Sequence, residues 1–221
     1  MKILARLPLL ALIASAAACA EPVEPSVPIV ISDTNVKLEP VVAAEQPWGM
    51  TFLADGGLLF TEKEGGLKYL APGAAEAAAV TGLPTALVAD QGGYLGLALD
   101  PDFAASRLVY VSLSSGTPEA NSTLVVRGRL TEDHTALETV EELFRGDLRD
   151  TTYHYGSRLA FGNDGTLFVT IGEGFKYMDL AQDPKTTHGK IIRINPDGSI
   201  PADNPFADGV NGAPEVWSYG H

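Results

Sequence analysis

From Val36 onward the apolar residues come in short runs, each closed by Gly, Pro, Asp or Asn. Short apolar runs between such breakers predict strands joined by turns. Trp48-Gly49-Met50-Thr51-Phe52-Leu53 is a predicted strand and Ala54-Asp55-Gly56-Gly57 a turn. Leu58-Leu59-Phe60-Thr61-Glu62 returns, and Gly66-Leu67-Lys68-Tyr69-Leu70 makes a third strand. Ala74 to Ala79 is alanine-rich, but Pro72-Gly73 and Gly82 confine it, so a loop and an outer strand are expected there. The pattern recurs with Tyr94 to Leu99, the turn Asp100-Pro101-Asp102, Arg107 to Leu113, and Ser122 to Leu130. It recurs again with Ser157 to Phe161, the turn Asn163-Asp164-Gly165, Thr166 to Ile171, and Gly189 to Ile194. The turns near Asp55, Asp102 and Asp164 are 47 and 62 residues apart. A unit of three or four strands repeating at that spacing is the signature of propeller blades.

The third unit is longer because of insertions before and within it, and insertions into a rigid β scaffold are where sites are often built. A stretch from Trp217 is expected to begin a fourth unit before the chain stops at Gly220-His221. The expected fold class is all-β, a β-propeller with about three to four blades present. Because a propeller needs at least four blades to close, the chain is expected to be a C-terminally truncated piece of a longer protein. The strand-borne aromatics Trp48, Phe52, Phe60, Phe161 and Phe168 are expected in the core.

Composition changes this picture at the N-terminus. Residues 1–19 have Lys2 and Arg6, then an apolar segment from Leu7 to Ala14, then small residues. That order predicts an export signal, too short to span a bilayer as a stable helix. The only cysteine, Cys19, sits at the junction. Small residues directly before a cysteine resemble a lipoprotein cleavage site, which makes Cys19 a candidate lipidation site. The implied address is the periplasm, with attachment to the outer membrane through an N-terminal lipid. Residues 20–35 carry Pro22, Pro25 and Pro28 and read as a flexible tether. Residues 36–221 form the predicted propeller domain. The net charge of −13 argues against nucleic acid as a partner, since phosphate binding needs a basic face.

The candidate chemistry centres on Tyr153-His154-Tyr155-Gly156-Ser157-Arg158-Leu159-Ala160-Phe161. His154 lies in a loop that feeds a predicted strand, and an imidazole can accept a proton near neutral pH. A loop histidine with no task fits the same residues. Glu62, Glu173, Asp179 and Asp183 are acidic loop residues that suit calcium by type, but no Asp-x-Asp-x-Asp-Gly loop is present. There is no phosphate loop, no Gly-x-Ser-x-Gly elbow and no Cys/His zinc pattern. His134 and His188 are expected to be solvated, and Arg158 to make an ion pair within its blade.

Three segments together resemble the quinoprotein sugar dehydrogenases, the soluble aldose or glucose/sorbosone dehydrogenases that use pyrroloquinoline quinone (PQQ). They are Asp90-Gln91-Gly92-Gly93-Tyr94-Leu95-Gly96 with Asp100-Pro101-Asp102-Phe103, then His154 to Leu159, then Gly189 to Pro201 followed by Asp203-Asn204-Pro205-Phe206. The resemblance implies a six-bladed propeller that oxidises an aldose at C1 to its lactone and passes electrons to an unidentified acceptor. It implies His154 as the catalytic general base and Gln91 as a cofactor-binding residue bordering quinone and sugar. It also implies calcium, with ligands outside this chain. The chain departs from the family pattern at Tyr153, where some members carry an acidic residue, and at Gly172 to Lys176, where many carry an arginine. The arginine and asparagine that follow Gly-His in the family are absent after His221, so the 221-residue chain alone is expected to be weakly active or inactive. Two other readings suit a propeller. One is a non-catalytic module that binds carbohydrate or protein; the other is a metal-dependent lactonase-type enzyme.

Overall fold

Three four-stranded antiparallel sheets follow one another along the chain in the computed structural model, which describes residues 39–221. The export signal, the tether and Cys19 lie outside the described residues. Sheet I is β1 (Pro47–Phe52), β2 (Leu58–Glu62), β3 (Gly66–Leu70) and β4 (Ala78–Val80). Sheet II is β5 (Tyr94–Leu99), β6 (Leu108–Thr117), β7 (Ala120–Leu130) and β8 (Leu137–Arg145). Sheet III is β9 (Leu159–Phe161), β10 (Leu167–Ile171), β11 (Lys190–Ile194) and β12 (Val216–Tyr219). Each sheet is a meander, as propeller blades are, and the three sheets do not close into a ring. A one-turn helix α1 (Phe103–Ser106) and a 3₁₀ turn (Met178–Gln182) complete the elements.

The period-2 alternation of β6 explains why sheet II is covered on both faces. Val109, Val111 and Leu113 point into a core shared with Leu59, Leu67 and Val80 of sheet I. Tyr110 points the other way, into a core with Leu159, Leu167, Val169, Ile192 and Ile194 of sheet III. Burial raises the Tyr110 phenol to about 12, and its hydroxyl donates to Asp100 and to the Pro196 carbonyl. Full burial of each aliphatic side chain contributes about 1.5–3 kcal/mol. These apolar seams therefore outweigh any single polar bridge between sheets, at about 1 kcal/mol net.

Polar bridges nonetheless recur at matching places and set the register of the seams. Gly49 N–H donates to Thr61 Oγ1 at 2.9 Å, and that hydroxyl donates across to Leu95 O of sheet II at 2.6 Å. One blade on, Gly96 N–H donates to Ser112 Oγ at 2.8 Å, which donates across to Ser157 O at 2.6 Å. In the third blade Arg158 N–H donates to Thr170 Oγ1 at 2.9 Å. Gly96 allows the close approach: a Cβ there would lie 2.0 Å from Ser157 O.

Several expectations need correction. The stretch at Trp217 does not open a fourth unit; Val216–Tyr219 is the last strand of sheet III, paired with β11. Leu137–Arg145 is a strand with no counterpart in the sequence reading, since its charged outer face hides the alternation. Phe52 is 67% exposed and lines an open groove with Met50 and Phe60 instead of the core. Arg158 makes no ion pair within its blade; its guanidinium lies over the Trp48 ring at 4.7 Å. His134 stacks on Tyr69 at 4.3 Å.

His188 is buried rather than solvated, and neither ring nitrogen finds a hydrogen-bond partner, although Nδ1 lies 4.0 Å from Asp147 Oδ2. Burial lowers its pKa; Asp147 opposes this, while Arg149 and Lys190 add to it. Lys190 is itself buried and donates to the carbonyls of Leu180, Ala181 and His188. Above the unfolded imidazole's pKa, about 6.5, both states are neutral and His188 contributes no pH dependence. Below it the unfolded chain takes a proton that the folded residue resists, so stability falls as pH falls toward the depressed folded value. We expect the loss to approach, at most, about 1.4 kcal/mol per pH unit. Urea midpoints measured between about pH 7 and 5 should fall more steeply for the wild type than for His188→Leu; parallel lines for the two proteins would contradict this.

Candidate functional site

The two insertions of the third unit, residues 146–158 and 172–189, lie against each other at one end of sheets II and III. Their backbone is unusual. His154, Gly156 and Ser157 have φ of 51°, 68° and 73°, and Phe175 has 64°. Such values cost free energy at non-glycine positions and persist only where the surroundings impose them. At Gly156 a Cβ would lie 2.6 Å from Thr170 O, so the chain turns there against the body of sheet III.

The surroundings are a set of specific bonds. Thr151 Oγ1 donates to Gly174 O at 2.7 Å, and Asp150 accepts from Lys176 Nζ at 2.5 Å and from Tyr177 OH at 2.6 Å. Asp147 and Thr187 exchange two bonds of 2.6 and 2.8 Å. Sheet II contributes the turn before β5. Gln91 N–H donates to Thr152 O at 3.2 Å, and Thr152 Oγ1 donates to Asp90 Oδ2.

These ties bring His154 and Gln91 together. Both line a hollow of about 340 Å³ with Trp48, Lys63, Leu95 and Tyr155. The His154 backbone N–H donates to Gln91 Oε1 at 2.9 Å. That bond fixes which end of the amide is oxygen, because only the oxygen can accept. A glutamine amide can both donate and accept. The structure commits its oxygen to the histidine loop, leaving the NH2 end as the donor toward a ligand. Lys63 Nζ donates to Asp90 O and is the cation of the lining.

Sequence reasoning missed the partner of the imidazole. His154 Nδ1 lies 2.8 Å from Glu173 Oε1, and the same oxygen accepts the Phe175 N–H at 3.1 Å. Burial raises the Glu173 carboxyl, but the bond from His154 and the local backbone N–H groups outweigh it and hold the group below its ordinary value. An ionised carboxylate accepts only, so Nδ1 carries a proton, and in the neutral ring the lone pair then lies on Nε2. The imidazole is 40% exposed and Glu173 17%, so the orienting group is the more shielded of the two. Phe175 packs edge-on against the imidazole at 5.4 Å. Glu173 had been grouped with acidic residues suited to calcium. The Gly-Glu-Gly spacing at 172–174 was the available signal, since a lone carboxylate at a strand end next to an insertion often serves a site.

Trp48 was likewise expected in the core and instead borders the hollow. Tyr153 is exposed, and its phenol sits beside Asp90, which raises it. Glu62 is used by the Glu45 N–H and Lys68. Among the described residues no group of three or more His, Cys, Asp or Glu side chains is placed to hold a metal ion. What the hollow offers is an imidazole oriented by Glu173, the Gln91 amide, the Lys63 ammonium, the Asp90 carboxylate and an indole wall.

Known proteins match this chain over most of its described length. The sequence profile of the glucose/sorbosone dehydrogenase family matches residues 44–221. The aldose sugar dehydrogenase of Escherichia coli is 36% identical over 179 residues, which cover 80% of this chain and 48% of that protein. A solved glucose dehydrogenase superposes with a TM-score of 0.76 at 37% identity, over 80% of this chain and 56% of that one. The PQQ-bound aldose sugar dehydrogenase of Streptomyces coelicolor superposes with a TM-score of 0.71 at 31% identity, over 81% and 52% of the two chains. The chain spans about half the length of the curated relatives it matches.

Proposed function

The chain belongs to the glucose/sorbosone dehydrogenase family, and on that footing we propose that it is part of a quinoprotein that oxidises an aldose at C1 to the lactone. The observation that carries this reading is the meeting of Gln91 and His154 in one hollow, with Glu173 on Nδ1. When bound, PQQ supplies the two-electron acceptor that no side chain can provide. The lining fits the reactive side of such a planar acceptor: the Trp48 indole and Leu95 give an apolar wall, and Gln91 NH2 and Lys63 give donors for its oxygens. For its carboxylates the hollow offers Lys63 as the only cation of the lining, and it also holds the Asp90 carboxylate, which accepts from Thr152 Oγ1. The rest of that charge, and any calcium, needs partners other than these residues.

The protein's own chemistry is proton removal and orientation. His154 Nε2 takes the proton of the anomeric hydroxyl as the C1 hydrogen departs with its electron pair. Glu173 holds the imidazole in the accepting tautomer and stabilises the imidazolium that forms, as a carboxylate does for a histidine base in other enzymes. Gln91 binds at the edge of the site through its amide hydrogens.

The test is dye-linked oxidation of aldoses, after addition of quinone and calcium, by the complete enzyme that contains these residues. We expect turnover that requires quinone, and only weak turnover from the 221-residue chain alone. Quinone-independent lactone hydrolysis, or no sugar oxidation by the complete enzyme, would overturn the proposal.

A further inference from the structure

One buried cation has no part in the scheme above. Arg149 is 3% exposed, and its hydrogen bonds all go to neutral acceptors. Nη1 donates to His154 O at 2.9 Å and makes longer contacts of 3.4 Å with Tyr153 O and Gly172 O. Nη2 donates to Thr123 Oγ1 of sheet II at 3.0 Å, and the guanidinium lies 4.3 Å over the Tyr155 ring. Nε is buried without a partner. A charge placed so deep disfavours itself, and burial duly lowers the Arg149 pKa. A purely structural role is better filled by an apolar side chain, so the convergence of its donors needs a reason.

The carbonyls of His154 and Gly172 come from the two insertions, one bearing the imidazole and the other bearing Glu173. The two segments run close together: a Cβ on Gly172 would lie 2.0 Å from His154 O, and both carbonyl oxygens face the same Nη1. Two carbonyl dipoles aimed at one spot repel unless a cation sits between them. We propose that Arg149 is the positioning residue of the site, its planar fork drawing the His154 and Gly172 carbonyls together so that Nδ1 meets Glu173. The proposal rests on the reading of His154 as the base. The fork is essential to it, because its two ends reach different places, Nη1 the His154 and Gly172 carbonyls and Nη2 Thr123 of sheet II, which a single ammonium cannot do.

The ring tautomer of His154 reads this directly. In the ligand-free chain, 15N-histidine spectra above neutral pH should show the Nδ1–H form dominating in the wild type. Glu173→Gln should shift the ring toward the Nε2–H form. Arg149→Lys should shift it in the same direction, and adding Glu173→Gln to Arg149→Lys should change nothing further. In the complete quinone-loaded enzyme Arg149→Lys should lower kcat by about 100-fold with little change in KM, the cost of misplacing a reacting group by about 1 Å. Circular dichroism checks the fold, and Arg149→Met is the stronger variant; if it fails to fold, Arg149→Lys decides. Wild-type ring shifts in Arg149→Lys, with the full Glu173→Gln effect still on top, would overturn the proposal. Absence of sugar oxidation by the wild-type enzyme would instead sink the functional reading, while the tautomer result on the ligand-free chain would still judge Arg149.

Discussion

Replacing His154 by Asn lowers kcat of the quinone-loaded enzyme by about 10²–10⁴-fold, the usual worth of a positioned general base. Asn is the informative substitute. The residue sits at φ 51°, a conformation that Asn tolerates better than most side chains. It keeps the backbone N–H that donates to Gln91, and it has no basic nitrogen. The imidazole is 40% exposed, so the loss of packing is small and the melting temperature should hold within a few degrees. Glu173→Gln should follow with a loss toward the upper part of the same range. Its amide can donate to Nδ1 and so favours the tautomer with the proton on Nε2, where the base is needed; a comparable swap beside a catalytic histidine costs about 10⁴. Steady-state dye reduction at saturating sugar measures both variants. Turnover within about twofold of wild type in His154→Asn would remove the imidazole from the chemistry.

Gly172→Ala is the backbone counterpart. Gly172 follows β10 and leads into Glu173, and its added methyl would meet His154 O at 2.0 Å and the carbonyl carbon at 2.6 Å. Neither contact is with a flexible side chain, so one insertion must move away from the other. Overpacking of this kind costs about 1–3 kcal/mol, read as a lower urea midpoint. Because the atoms displaced carry the Glu173–His154 bond, activity should fall by more than the fraction unfolded accounts for. A variant with reduced stability but undiminished activity per folded molecule would show that the two insertions are not held in register by this contact.

The extent of the sequence's legibility follows from what each residue's position depends on. The inner strands were readable because their two faces are both buried, which leaves continuous runs such as Leu58–Glu62 and Leu108–Leu113. Turns such as Asn163-Asp164-Gly165 were readable because φ at Gly165 is 81°, a demand met by a glycine. The outer strand Leu137–Arg145 was not, since its charged residues face solvent and break the period. The last strand was misassigned because pairing partners are a property of the sheet: Val216–Tyr219 reads as a strand either way, and only the ladder to β11 says to which blade it belongs. Within the site, His154 and Gln91 were reached through local motifs and the family resemblance. Glu173 and Arg149 were not, because each acts through a contact with a different loop. His188 was expected in solvent for the same reason: nothing in Thr187-His188-Gly189 announces that the Tyr177 ring packs against it from the other end of the insertion.

The Gln91–His154 bond spans the seam between sheets II and III, so the candidate site belongs to neither sheet. Its dimensions are set by how tightly Tyr110, Val125 and Phe144 nest against Leu159, Leu167 and Ile192, well away from any ligand. Warming that loosens this nesting should therefore silence the site while every sheet is still hydrogen-bonded, making catalysis the more sensitive thermometer of the fold.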